Sequence, residues 1–330
     1  MVHSREVNVT RVLVTGSSGT IGTRLCEMLL SGGEMEVQGV DRRANGWYPR
    51  LNELTRRGDL CDREFVGTLP RDIDVVVHLA ANARVYNLVL DPDLALENIR
   101  SLYNVLEYCR GRGIGRILFA SSREVYGNGV GTCRSEDQVN LRACESPYAA
   151  SKMSGEALVH AYHRCHDIDF IITRFSNVYG MYDNTDRIIP LFIRLAEQNR
   201  DLIIYGRDKM LDFTYIDDTV AGLVQCLQQF ERAKNNVFNI ATGRGVLLTD
   251  VAQRIVRLLG SHSRMVIEGN RAGEVVRFAA DISKAEQLLG FRPRVGIEEG
   301  LRESMRWYAQ HGPQARLVPL AGKSSQRKTR

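Results

Sequence analysis

The sequence predicts an α/β fold: a doubly wound parallel sheet with helices on both faces, followed by a smaller mixed α/β region. Three observations carry this. Short apolar, β-branched runs recur through the first half, helical stretches separate them, and a glycine-rich turn joins the first run to the first helix. Runs that are apolar throughout, rather than alternating, suit strands buried on both faces. Right-handed crossovers between such strands wind the sheet in both directions.

The elements follow in order. Arg11–Thr15 (RVLVT) reads as the first strand and Ile21–Leu30 as an amphipathic helix. Glu36–Val40, Asp74–Leu79, Arg116–Ala120 and Asp169–Thr173 continue the strands, with helices over Asp93–Arg110 and Tyr148–His163 between them. After Tyr179 the rhythm loosens. Arg187–Gln198 and Asp218–Gln229 read as helices, Leu202–Tyr205 as a short strand, and Asn236–Ile240 as a strand returning to the main sheet. Thr249–Leu259, Ser283–Leu289 and Ile297–Tyr308 read as surface helices, with Gly290 and Pro293 breaking the chain between the last two. The expected division is a cofactor domain over 1–178 with a return segment near 212–242, a substrate domain over 179–211 and 243–312, and a disordered tail over 313–330.

Composition narrows the classes. With 330 residues, 44% hydrophobic and 25% charged, the chain can bury a large core. The net charge of +5 is spread among interspersed acids and bases, which points to no nucleic-acid partner. No apolar run approaches the ~20 residues that span a bilayer. The N-terminus, Met1–Thr10, is polar and not a signal peptide. Seven cysteines, Cys26, Cys61, Cys109, Cys133, Cys144, Cys165 and Cys226, form no C-x-x-C pair. They are expected to be buried free thiols of a cytoplasmic protein, with no metal site.

The glycine turn reads Gly16-Ser17-Ser18-Gly19-Thr20-Ile21-Gly22, a G-x-x-G-x-x-G pattern between strand and helix. One glycine permits the tight turn, one lets backbone approach a pyrophosphate, and one lets helix and strand pack closely. Amides at the helix start, with the helix dipole, then hold phosphates. Asp41 lies 19 residues beyond Gly22, at the end of the second strand. A carboxylate there accepts the adenosine ribose hydroxyls and repels a 2′-phosphate, so NAD is expected over NADP. Arg42 and Arg43 follow it, and arginine is the residue by which such sites admit that phosphate. Asp59 and Leu60 are candidates to lie beside the adenine. Leu79, Ala80 and Ala81, after His78, are small enough to leave room for a cofactor at the sheet edge. His78 itself reads as a core residue.

Tyr148-Ala149-Ala150-Ser151-Lys152 places a phenol and an ammonium four residues apart on one helix face. The ammonium, with a positive nicotinamide, favours phenolate and makes tyrosine a usable base. Upstream, Ser121-Ser122-Arg123-Glu124-Val125-Tyr126-Gly127 leaves the end of a strand. A hydroxyl there can bond the same substrate oxygen that Tyr148 deprotonates.

With these residues in view, the chain resembles the extended short-chain dehydrogenase/reductases, in particular the nucleotide-sugar epimerases and dehydratases, from about Val9 to Tyr308. The match includes the glycine turn, Asp41, His78-Leu79-Ala80-Ala81, Asn98, Ser122 ahead of Val125-Tyr126-Gly127, Tyr148 and Lys152. It continues through Arg174-Phe175-Ser176-Asn177-Val178-Tyr179-Gly180, Asp212–Asp218 and Arg271-Ala272-Gly273-Glu274. The resemblance implies a Rossmann-type domain holding NAD, with Asn98 at the cofactor. It implies Ser122, Tyr148 and Lys152 as catalytic residues. It also implies Asn177 and Arg271 at a nucleotide-diphosphate sugar, and a homodimer built on the helices Asp93–Arg110 and Tyr148–His163. Leu94, Leu102, Leu106 and Leu158 suit either that interface or the sheet-facing side.

Two departures stand out. Leu211 occupies the position of the family's diphosphate-binding arginine, with Arg207 or Lys209 as candidate substitutes. Arg123 replaces a small residue, and with Arg187 it makes a charged sugar conceivable. The resemblance implies a common opening step, oxidation of the sugar at C4, after which fates diverge. Glu124 keeps three of them open. A 4-epimerase is expected first. A 4,6-dehydratase with Glu124 as C5 base, or a hexuronate decarboxylase, is the alternative. A cofactor-binding protein without activity is the competing class, and the intact Ser122, Tyr148 and Lys152 argue against it.

Overall fold

The computed structural model describes residues 9–128, 131–183 and 185–311. In chain order it begins β1 (Thr10–Thr15), α1 (Thr20–Gly32), β2 (Met35–Asp41), α2 (Arg50–Leu54), β3 (Thr55–Arg57), α3 (Arg63–Gly67), β4 (Val75–His78), α4 (Val85–Leu90), α5 (Asp93–Arg112) and β5 (Arg116–Ser122). Then come β6 (Cys133–Arg134), α6 (Pro147–His166), β7 (Asp169–Phe175), β8 (Asn177–Tyr179), α7 (Ile188–Glu197), β9 (Leu202–Tyr205), β10 (Met210–Tyr215) and α8 (Ile216–Gln228). The last elements are α9 (Phe230–Ala233), β11 (Asn236–Ile240), β12 (Gly245–Leu247), α10 (Leu248–Leu259), β13 (Met265–Glu268), β14 (Ala279–Ala280), α11 (Ser283–Leu289) and α12 (Ile297–Gln310).

Seven strands form one sheet in the order β11-β7-β5-β4-β1-β2-β3. Every pairing in it is parallel. The winding direction reverses between β1 and β4, and that crevice is where open α/β sheets bind ligands. Thr15 pairs with both Val40 and His78, so the glycine turn, Asp41 and the segment after His78 share one carboxyl edge.

The apolar strands are explained by what they pack against. Val12 and Val14 of β1 join the core on one face, with Leu25 and Leu29 of α1 and Val220 and Leu223 of α8. Leu13, between them, faces the opposite layer with Leu102, Val105 and Leu106 of α5 and Val159 of α6. Alternate residues of one strand thus serve two helical layers, so the run reads as continuously apolar. Leu102 and Leu106 therefore serve the sheet side rather than an interface.

The smaller sheets are β12-β10-β8, β13-β9 and β14-β6. Within residues 212–242, β10 belongs to the first of these, and only β11 joins the main sheet. Ile189, Phe192 and Leu248 of the later region share a buried cluster with Val12 and Val75 of the main sheet, so one core runs under both. Leu211 is buried in that core.

The tail expected over 313–330 lies outside the described residues. Among the described residues no helix is long and apolar enough to cross a membrane, and no group of His, Cys, Asp or Glu could hold a metal. The cysteines are unpaired, but only Cys26, Cys109 and Cys226 are buried; Cys133 and Cys165 are exposed, contrary to the expectation of uniformly buried thiols. Cys133 lies on a two-residue strand at the rim, and Cys165 lies at the solvent end of α6, where no layer covers them.

Candidate active site

The cofactor end is built on backbone. Gly16 has φ +74°, and a Cβ there would lie 2.8 Å from the Ala80 amide nitrogen. A Cβ on Gly22 would collide with the Gly16 carbonyl. The two glycines let the turn, α1 and the Leu79-Ala80-Ala81 segment close on each other. Gly19 caps α1 without a side-chain hydrogen bond, and the first turn carries no acid. The first-turn amides of Thr20, Ile21 and Gly22 are therefore left for an anion. Asp41 braces the turn by accepting from the Ser18 amide at 3.0 Å and the Arg43 amide at 2.9 Å. Ser18 donates its hydroxyl to the Arg43 carbonyl, and Thr20 donates to the Tyr182 carbonyl. An uncapped helix start, a turn with no room for a side chain at Gly16 or Gly22 and a carboxylate beside it suit a dinucleotide such as NAD.

Arg42 leans away from Asp41. Its guanidinium lies 3.7 Å from Asp59, 3.4 Å from Glu97 and 3.2 Å from the Asn82 side-chain oxygen. Its charge is thus shared with two acids instead of being held open for a 2′-phosphate. Leu60 is a core residue whose carbonyl accepts from Asn104. Asn98 is buried and spends its side chain on the Asn82 backbone, at 2.7 and 3.1 Å, and on Ser151. It fixes the loop that follows Ala81. His78 is buried against Thr15, and burial with Lys152 nearby lowers it to about 3, so it stays neutral.

The reaction end sits where β5 meets α6. Ser146 caps α6 by accepting from the Ala149 amide at 3.1 Å, with Pro147 in the first turn. This fixes Tyr148 and Lys152 at the helix start. Lys152 donates to the Ala120 carbonyl at 2.8 Å, and its nitrogen lies 5.8 Å from the Tyr148 ring centre. Burial brings Lys152 down to about 8. Burial raises Tyr148, opposed by its hydrogen bond with Ser122 and by the charges of Arg187 and Arg123. Downward pressure on the phenol thus includes two guanidiniums that the Tyr-Lys spacing does not reveal.

Arg123 and Glu124 do not point into open space. They pair with each other at 2.8 Å, both buried, and Arg123 stacks 5.7 Å over Phe278. Burial raises the Glu124 carboxyl, opposed by Arg123 and Lys209. Lys209 is itself buried and paired with Glu274, so it does not reach outward in place of the missing arginine, and Arg207 is exposed. Asn177 opens β8 and pairs in register with Phe213.

Arg271 lies 3.6 Å over the Tyr205 ring and 5.1 Å from that of Tyr86. Arg84, which no sequence motif marked, donates to Thr185 at 2.9 Å and pairs with Asp186. Its signal in the sequence is position alone, three residues past Ala81 at the sheet edge.

Three comparisons fit this geometry. The sequence description of the NAD dependent epimerase/dehydratase family matches residues 12–241. A UDP-glucuronate 4-epimerase of Thermodesulfobacterium geofontis is 30% identical, covering 89% of this chain and 95% of that protein. A dTDP-glucose 4,6-dehydratase of an Actinoplanes species is 31% identical over 90% of this chain and 97% of its own. Among solved structures, a UDP-glucuronic acid 4-epimerase from Bacillus cereus, in complex with UDP-glucuronic acid and NAD, superposes with a TM-score of 0.83 at 30% identity. That match covers 92% of this chain and all of the other. A UDP-glucose 4-epimerase from Thermotoga maritima, with UDP-glucose, gives 0.84 at 28% identity, over 92% and 99%.

Proposed function

We propose that this chain, which belongs to the NAD dependent epimerase/dehydratase family, is a nucleotide-diphosphate-sugar 4-epimerase. It is an enzyme that uses NAD, as the family and the neighbours in complex with NAD establish. The observation that carries the choice of 4-epimerase is the buried Arg123–Glu124 pair. A dehydratase needs a carboxylate free to take the C5 proton and an acid to expel the hydroxyl. Here one oxygen of the carboxylate is paired with Arg123, whose charge draws on its basicity, while the other, Oε2, has no hydrogen-bond partner among the described residues. The guanidinium that stands where the acid would be does not release a proton near neutral pH.

Tyr148 takes the proton of the sugar 4-hydroxyl. Ser122 lies beside that phenol, lowering its proton affinity, and would steady the oxygen as it becomes a carbonyl. Lys152, anchored on the Ala120 carbonyl, holds positive charge behind the phenol and favours its deprotonated form. NAD, when bound, would supply the acceptor and then the donor for the C4 hydride. Turnover of the 4-keto sugar between the two transfers inverts C4, and Tyr148 gives its proton back. The turn Gly16–Gly22 and Asp41 would hold the dinucleotide, with Ala80 and Ala81 leaving space beside it.

Hydrogen at C5 separates the readings. In deuterated water a 4-epimerase returns product without deuterium at C5 or C4, because the hydride never leaves the protein. Deuterium at C5, seen by mass spectrometry and NMR, would instead show that a bond at C5 is broken, and its loss in Glu124→Gln would put Glu124 at the sugar as a base. Such labelling would favour the dehydratase or decarboxylase reading.

We also propose a homodimer through α5 and α6. Leu96 and Tyr103 are exposed on α5, at 59% and 38%. Beside them α6 shows Ala150, Ala157 and Ala161. Large residues next to small ones on adjacent helices make a face that fits a second copy of itself under two-fold rotation.

A further inference from the structure

Several guanidiniums lie close enough to act on one another and on the phenol of Tyr148. Arg187 acts on Tyr148. Arg84 feels Arg187, Arg271 and Arg194, and burial together with these like charges lowers it to about 10 even though Asp183 opposes the fall. Arg271 lies 3.6 Å over the Tyr205 ring. The three guanidiniums come from three separate segments: the loop after β4, the loop before α7, and the segment after β13. Among the described residues Arg187 and Arg271 have no ion-pair partner. Arg84 is paired with Asp186, whose side chain is 46% exposed.

Gathering like charges in a half-buried place is costly unless an anion is to be held there. Arg187 acts on Tyr148 and also on Arg84, which feels Arg271 as well, and this linkage points to the anion. C4 of a pyranose and its anomeric phosphate lie at opposite ends of the ring. A sugar with C4 at Tyr148 therefore sends its diphosphate away from the phenol, toward Arg187 and then Arg84 and Arg271. Leu211, where the resemblance puts an arginine, is buried and supplies nothing. Lys209 is tied to Glu274.

We propose that Arg84 is a diphosphate-binding residue of this enzyme, taking over with Arg187 and Arg271 the work that Leu211 cannot do. Asp186 is then a place-holding counter-ion that gives up Arg84 when the diphosphate arrives. This rests on the reading that the substrate is a nucleotide-diphosphate sugar. It does not depend on which reaction follows. The guanidinium fork suits phosphate oxygens, and the Thr185 hydroxyl aims it.

The rival role for Arg84 is a structural latch, in which its pair with Asp186 ties the loop before α7 to the main sheet. Substitutions on the two sides of the pair separate the roles. Binding of UDP, GDP, CDP and dTDP would be measured by calorimetry on the NAD-loaded protein, together with the corresponding nucleosides and thermal melts. For the diphosphate that binds best, Arg84→Ala should weaken affinity about tenfold or more, the scale of one charge-assisted contact. Nucleoside binding should change little. Asp186→Asn should leave diphosphate affinity unchanged or raise it. Arg84→Lys, which keeps charge but loses the fork, should fall between, and it decides the matter if the alanine variant does not fold. Diphosphate affinity within twofold of the unaltered protein in the Arg84 variants would overturn the proposal. So would an equal loss in Asp186→Asn, which is what a latch predicts. Failure of the unaltered protein to bind any of the four diphosphates would sink the nucleotide-sugar reading itself, and the role of Arg84 with it.

Discussion

Tyr148 works against its own burial. Enclosure, with the nearby charge of Glu124, holds its proton on, and Ser122, Arg187 and Arg123 pull the other way. If the phenol carries the proton transfer, Tyr148→Phe should lower kcat about 10²- to 10⁴-fold while bound NAD is retained. Unchanged turnover would remove Tyr148 from the chemistry. Lys152 makes a second prediction, on stability. Burial brings it to about 8 from an ordinary value of 10.5. Between those pH values the unfolded chain keeps a proton that the folded chain has lost, so this group makes stability rise with pH across that window. Against Lys152→Met, the unaltered protein should gain in Tm from pH 8 toward 10.5, and parallel curves would contradict the assignment. Tyr148, Ser122 and Lys152 were legible in the sequence because their chemistry depends on spacing within one helix and one strand end. Arg84 was not, because its role arises from three segments meeting, with Arg187 and Arg271 about 100 and 190 residues away by number. Arg123 was visible as an oddity. Its pairing with the next residue became evident only from the bend after β5 that turns both side chains inward.

Among the elements, the strands of the first half could be read because they are buried on both faces and so continuously apolar. β7 runs on to Phe175 and β5 to Ser122, beyond the sequence expectation, because Arg174 and Ser121 are buried polar residues that hide the pattern. Both bond Glu156 of α6, Arg174 through two nitrogens at 2.9 and 2.6 Å and Ser121 at 2.5 Å. A polar residue in a strand therefore marked a tie to a helix, not the strand's end. The two long helices divide their surfaces as well. Leu102 and Leu106 face the sheet, while Leu96 and Tyr103 face outward. Leu96→Glu with Tyr103→Glu should shift sedimentation from dimer to monomer at micromolar concentration without loss of helix content. An unaltered protein that sediments as a monomer would refute the interface.

Across the whole molecule, one core underlies both the main sheet and the later region, and the site lies where the two meet. The parallel sheet supplies the cofactor turn and the Ser–Tyr–Lys group at its carboxyl edge. The later segments supply Arg187, Arg271 and Tyr205. On the proposed reading this arrangement serves a long substrate, with the sugar at the sheet edge and the diphosphate among the arginines. The fate of the sugar at C5, on that reading, turns on Glu124, one oxygen of which is paired with Arg123. The most direct test is product analysis by mass spectrometry and sugar NMR, after incubation with NAD and a panel of UDP-, GDP-, CDP- and dTDP-sugars that includes hexuronates. The account predicts an isomer of unchanged mass, inverted at C4, from at least one of them. Loss of water or of carbon dioxide from the sugar, with no C4 isomer formed, would contradict it.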